Sequence, residues 1–160
     1  MCIRDRNKTV TKIKSLLKQA QDLAQDELGL ENIFYNERFV ELMIANELGH
    51  EYGNNTQGGD AWDPVKKKPV EYKAINLRSK GKGTFQFHWL SENKINQYSQ
   101  TEDMYFCIRD GVQIKEIYRV PTKTVIPYLK EKSTGGKSIH GHWGTNKDKL
   151  INELKAEKVC

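Results

Sequence analysis

The stretch GGDAWDPVKKKPVEYKAINL, residues 58–77, sets the reading of this chain. In an extended strand alternate side chains share a face, so Glu71 and Lys73 point one way while Val70, Tyr72 and Ala74 point the other. Residues 60–63 read as a partner strand, and PVKKK between the two suits an exposed turn. Folding back at that turn brings Asp60 beside Glu71 and Lys73. Val70, Ala74, Ile75 and Leu77 mark a strand covered by other parts of the chain, where an unpaired charge is costly. The plain alternative is a surface strand with Glu71 and Lys73 solvated and Asp60 in a turn.

Two carboxylates and an ammonium converging at a sheet edge offer oxygen ligands to a hard divalent cation, with a positive group beside its water. That set suits metal-assisted hydrolysis of a phosphodiester. Lys73 then orients the attacking water or helps to deprotonate it, and counters charge building on the phosphate.

Outward from this hairpin the chain alternates helices and strands. Val10, Ile13, Leu16, Leu17, Ala20, Leu23 and Leu28 recur at three- and four-residue steps, an amphipathic helix over 9–28 whose stripe suits the domain's own core first and a second subunit otherwise. A second helix is predicted over 36–48, with Gly49 ending it. Downstream, RSKGKG is a basic loop, and TFQFHWL (84–90) alternates Phe85, Phe87 and Trp89 on a core face with Gln86 and His88 on a polar one. SENKINQY reads as a short helix capped by Ser91. DMYFCIRDGVQIKEIYRV reads as a hairpin turning at Asp110-Gly111. A helix near 124–132 is predicted to start close to Pro127. STGGKSIHGHWG is a polar loop, and Thr145 with Asp148 suits the cap of a final helix over 147–158.

The chain has 160 residues, 26 Lys and Arg against 21 Asp and Glu, a net charge of +5 and 37% hydrophobic residues. The length favours one domain with a real core, and the order of elements indicates a mixed α/β fold around a central sheet. The basic balance suits a polyanion, nucleic acid first. Cys2, Cys107 and Cys160 have no zinc-site spacing, which fits a reduced, cytoplasmic protein. No apolar run reaches membrane-helix length and the N-terminus lacks the apolar core of a signal peptide. The opening MCIRDR connects to nothing else and carries no functional weight.

The 58–77 stretch resembles the catalytic hairpin of the PD-(D/E)xK nuclease superfamily, and within it the PvuII-type restriction endonucleases. GGDAWD, EYKAIN, the SKG loop, the histidine-bearing strand, Tyr98 and the IRDGVQIKEIYRV hairpin follow that family's order over residues 33–130. The resemblance implies a restriction-endonuclease-like fold, a central mixed sheet flanked by helices in one domain over 1–160. It implies a catalytic core over 33–130, an N-terminal helix in a dimer interface, and a C-terminal loop and helix over 133–160. By position, Asp60 and Glu71 resemble the metal-binding carboxylates, Lys73 the catalytic lysine, and the Tyr72 carbonyl a further ligand. Mg²⁺ is the implied ion.

Gly59 stands where the superfamily has a proline. Gln57 stands where the PvuII type has a glutamate, which leaves Gln57 a role beside the site at most. FQFHW keeps only His88 of the family's adjacent guanine-reading histidines. Gln86 and His88 are candidates for base edges, Tyr98 for the scissile phosphate, Lys80 and Lys82 for phosphates, and Asn146 for a base contact. Lys137 shares the glycine-containing loop setting. His140 and His142 lack a further suitably spaced ligand for a metal finger.

The resulting expectation is a homodimeric type II restriction enzyme acting on double-stranded DNA, with a cognate methyltransferase as a further partner. The alternatives are a repair or recombination nuclease of the same superfamily, and a non-catalytic DNA-binding module with this fold.

Overall fold

A computed structural model describes residues 3–53, 58–79, 83–88, 90–132 and 143–160. Two compact units divide the chain, residues 1–39 and 40–160. The first is dominated by α1 (Ile3–Leu28), which begins six residues before the predicted helix. Its end follows from Gly29 at φ +65°, a conformation glycine adopts without a Cβ penalty, with the Leu30 N–H closing back on the Ala24 carbonyl. The Gln21 side chain then ties the turn, donating to the Leu30 carbonyl and accepting from the Ile33 N–H. Along α1 the predicted apolar stripe is solvent-exposed at Val10, Ile13, Leu16, Leu17 and Leu23.

The second unit is a mixed α+β fold. Its five-stranded sheet runs β1 (Ala61–Asp63), β2 (Lys68–Asn76), β4 (Asp103–Asp110), β5 (Gln113–Pro121), β7 (Glu157–Lys158), with β2 parallel to β4 and the other neighbours antiparallel. A two-stranded antiparallel ribbon pairs β3 (Phe85–Phe87) with β6 (Trp143–Thr145). The helices are α2 (Arg38–Leu48), α3 (Glu92–Tyr98), α4 (Thr122–Lys132) and α5 (Lys147–Asn152).

The period-two pattern of β2 divides the unit's apolar contacts into two clusters. Val70 and Tyr72 pack with Val40, Ile44 and Ala45 of α2 and with Tyr105, Cys107 and Ile117. The opposite face joins Phe85, Phe87, Met104, Phe106 and Val120 to Ile95 and Tyr98 of α3, Val125 and Leu129 of α4, and Leu150 of α5. Glu71 and Lys73 belong to this second face by strand parity.

Several elements depart from the sequence expectation. Pro127 lies inside α4, which starts at Thr122 rather than near the proline. The missing proline N–H costs one bond to the preceding turn, and burial of Val125 and Leu129 outweighs it. The final helix stops at Asn152, and 157–158 instead extend the sheet beside β5. Its cap is Asn146, whose side-chain oxygen accepts from the Lys149 N–H at 2.9 Å, in place of the Thr145–Asp148 box. Residues 143–144, expected in a loop, and Thr145, expected as a cap, form β6. The Ser91 cap is as expected, and the predicted hairpin forms with its turn one residue later, at Gly111-Val112, Asp110 pairing with Gln113 and Gly111 at φ +61°.

Candidate active site

The β1–β2 hairpin is closed by the Asp63–Lys68 pair around residues 64–67. Its turn is less passive than its lysines suggest. Asp63 is buried and its carboxylate accepts from the N–H groups of Val65 and Lys66, fixing the turn. The Lys66 ammonium pairs with the buried carboxylate of Asp103 on β4.

Asp60 sits one residue ahead of β1, not in the strand. Its N–H donates to the Val70 carbonyl at 2.9 Å, and its carboxylate accepts from the Tyr72 N–H at 2.7 Å. Both bonds need the backbone at 59 pressed against β2: a Cβ on Gly59 would lie 2.6 Å from the Val70 carbonyl oxygen. Glycine at this position is therefore a packing requirement, which accounts for the absence of the superfamily's proline.

On β2 the Lys73 ammonium donates to the Glu71 carboxylate and, at 2.9 Å, to the Tyr72 carbonyl. The same ammonium lies 5.1 Å from the Tyr98 ring centroid and 5.6 Å from that of Phe87, within cation–π range. The three predicted chemical residues thus meet around the middle of β2. Asp60 engages the Tyr72 N–H and Lys73 the Tyr72 carbonyl, so the two flank the backbone of that residue on both its peptide groups.

The charges reinforce this grouping. Burial, then repulsion from Glu71, pushes the Asp60 carboxyl from its usual 3.8 up to about 7, against the pull of Lys73; Glu41 of α2 adds to the repulsion. Burial lowers the Lys73 ammonium, but Glu71, Tyr98 and Asp60 together outweigh it and hold Lys73 above the ordinary lysine range. Tyr98 is pushed up to about 12, chiefly by burial and in opposition to Lys73, so its hydroxyl remains a proton donor at neutral pH.

These atoms fit a hard cation. The oxygen set comprises two carboxylates and one carbonyl, and burial together with repulsion from Glu71 raises the Asp60 carboxyl, a cost that a cation would relieve. The ammonium already bonded to Glu71 and the Tyr72 carbonyl marks where positive charge is stabilised. Among the described residues no group of three His, Cys, Asp or Glu side chains stands close enough to hold a metal ion.

Beneath the strand, the Tyr72 hydroxyl meets His50 Nδ1 at 2.8 Å, and His50 Nε2 lies 3.9 Å from Asp63. Burial depresses His50 more strongly than Asp63 raises it, so this contact joins a neutral imidazole to a carboxylate and is not an ion pair at neutral pH.

The other candidates are placed as follows. Gln86 is half-buried within β3, while His88 is exposed and one residue beyond the strand, which is shorter than predicted. Asn146 is exposed and its side-chain oxygen is engaged in the α5 cap, leaving its NH₂ outside that bond. Gln57, Lys80, Lys82, Trp89, Lys137, His140 and His142 lie outside the described residues. Glu41 and Lys94 are site neighbours that sequence reasoning missed. Glu41 lies on another element with no periodic link to β2. Lys94 carried one signal, its place four residues before Tyr98 on one helix face, and its ammonium lies 4.9 Å from the Tyr98 ring centroid.

Two carboxylates, a carbonyl and a lysine thus gather around the middle of β2, with a lysine-bearing helix beside them. The sequence model of the family described as restriction endonuclease PvuII matches residues 5–153. The chain belongs to the PvuII restriction endonuclease family. It is therefore a type II restriction endonuclease-like endodeoxyribonuclease, with DNA as the substrate of its family. Membership in the PvuII family sets this reading above a repair or recombination nuclease and above a module that only binds DNA. No similar sequence was found among curated proteins. Among the described residues no helix is long and apolar enough to cross a membrane.

Proposed function

We propose that this chain is a homodimeric, Mg²⁺-dependent enzyme that cuts double-stranded DNA at a short palindromic site, with Asp60, Glu71 and Lys73 as its catalytic residues. The observation that supports this reading is the joint hold on the backbone of one residue: Asp60 accepts from the Tyr72 N–H, and Lys73 donates to the Tyr72 carbonyl and to Glu71.

Asp60, Glu71 and the Tyr72 carbonyl would hold Mg²⁺. When bound, such an ion supplies a water of lowered pKa and offsets negative charge on the phosphate. Lys73, kept protonated by its neighbours, acts as a fixed cation that orients the attacking water and counters charge on the phosphate oxygens. Tyr98, kept as a phenol, donates to a phosphate oxygen.

Gln86 and the exposed His88 would read base edges in the major groove. Lys80 and Lys82 would contact phosphates, the Asn146 NH₂ a base, and Gln57 a position beside the metal. Residues 1–160 would act as one domain whose α1 stripe packs on the same helix of a second subunit. A two-fold dimer matches a two-fold DNA site. A cytoplasmic enzyme of this kind calls for a partner methyltransferase acting on the same site.

The test is a pair of variants on duplex DNA. Glu71→Ala and Lys73→Ala are each expected to retain DNA binding and to leave the DNA uncut in Mg²⁺. Cutting by either variant at the native rate would remove these residues from the chemistry.

A further inference from the structure

Lys94 is placed at a cost. It occupies the first turn of α3, where its own N–H is taken by the Ser91 cap at 3.2 Å and where a cation meets the unfavourable end of the helix dipole. The residue is half-buried, and among the described residues no carboxylate stands within ion-pair distance of its ammonium. It also shares a ring with another cation: Lys94 and Lys73 lie 4.9 Å and 5.1 Å from the Tyr98 centroid, which puts the two ammoniums within about 10 Å of each other. Glu71 compensates Lys73 alone. An anion beside Tyr98 would give Lys94 the counter-charge that Glu71 gives Lys73, and would offset the helix dipole.

We infer that Lys94 is a substrate-binding lysine that holds a backbone phosphate of the cleaved strand next to Lys73. The inference rests on the reading of Glu71 and Lys73 as the catalytic pair. It adds a contact on α3, between the histidine-bearing strand and Tyr98, so that one helix face links the segment that reads bases to the segment that cuts. Phosphates along one strand are closely and regularly spaced, and the two ammoniums, within about 10 Å of each other, match the reach of neighbouring phosphates.

The experiment compares native enzyme, Lys94→Gln and Lys94→Arg on a duplex oligonucleotide. Affinity is measured over a salt series without divalent metal, and single-turnover cleavage with Mg²⁺. Lys94→Gln is expected to lower the slope of log affinity against log salt by about 0.9 for each lost phosphate contact, and Lys94→Arg to keep it. Cleavage by Lys94→Gln should fall about ten- to a hundredfold, the range of one charge-assisted hydrogen bond. A lowered slope with unchanged cleavage still supports the phosphate contact. A native slope in Lys94→Gln overturns it, whatever happens to the rate. If the native enzyme cuts no DNA, the catalytic reading fails, and the salt slopes still decide whether Lys94 meets a phosphate.

Discussion

Lys73 bonds to Glu71 across the single residue between them, on the face of β2 opposite the Tyr72 ring. The side chains of Glu71 and Lys73 are only 8% and 15% exposed, so each is the other's main compensation.

Removing one partner leaves the other charge buried. Lys73→Ala is expected to destabilise the metal-free protein by ~3 kcal/mol, the scale of a broken buried pair. The double variant Glu71→Gln with Lys73→Met, which keeps the shape and removes both charges, should recover most of that loss and remain inactive. Urea unfolding of the three proteins checks this, and equal stability of all three would show that the pair is solvated.

Asp60 gives the metal-free protein a pH dependence of definite sign. Its carboxyl is raised from 3.8 to about 7, so folding takes up a proton between those values. The contribution is fully present below the unfolded value and is lost as pH rises through about 7, at about 1.4 kcal/mol per pH unit within the window. Melting temperatures of the native protein should therefore fall relative to Asp60→Asn as pH rises from about 4 to 7. Parallel pH profiles for the two proteins would contradict the assignment.

Gly59 should tolerate nothing larger. A Cβ there would meet the Val70 carbonyl oxygen at 2.6 Å, and relieving it means moving the backbone that carries Asp60. Gly59→Ala is expected to cost about 1–3 kcal/mol, as overpacking does, and to reduce cleavage more than DNA binding. Native activity in this variant would show that Asp60 need not be held against β2.

The α1 stripe supports the proposed dimer. Leu16 and Leu23 are 55% and 64% exposed on a helix whose other face is charged and polar. Leu16→Glu with Leu23→Glu is expected to give a monomer in sedimentation equilibrium. A native dimer in that variant would place the interface elsewhere.

The fold was legible where periodicity runs long enough. The α1 stripe spans some five helical turns, and the alternation of β2 assigns Glu71 and Tyr72 to opposite faces. It was illegible in β6 and β7, three and two residues long, which form because a neighbouring strand offers an edge. The α5 cap was also illegible, because Thr145 and Asn146 offer similar capping chemistry one residue apart and only the backbone decides that Asn146 takes the position. Within the site, the hairpin residues were legible because their spacing encodes their geometry. Glu41 and Lys94 were not, because each reaches the site from a helix whose packing angle no local pattern states.

The most direct measurement is digestion of a large unmethylated plasmid by the purified native protein in Mg²⁺, with the fragment ends sequenced. The account predicts discrete fragments whose ends share one short palindromic sequence, and no fragments from Glu71→Ala. A smear of ends without common sequence, or DNA binding by the native protein without any cleavage, would contradict it.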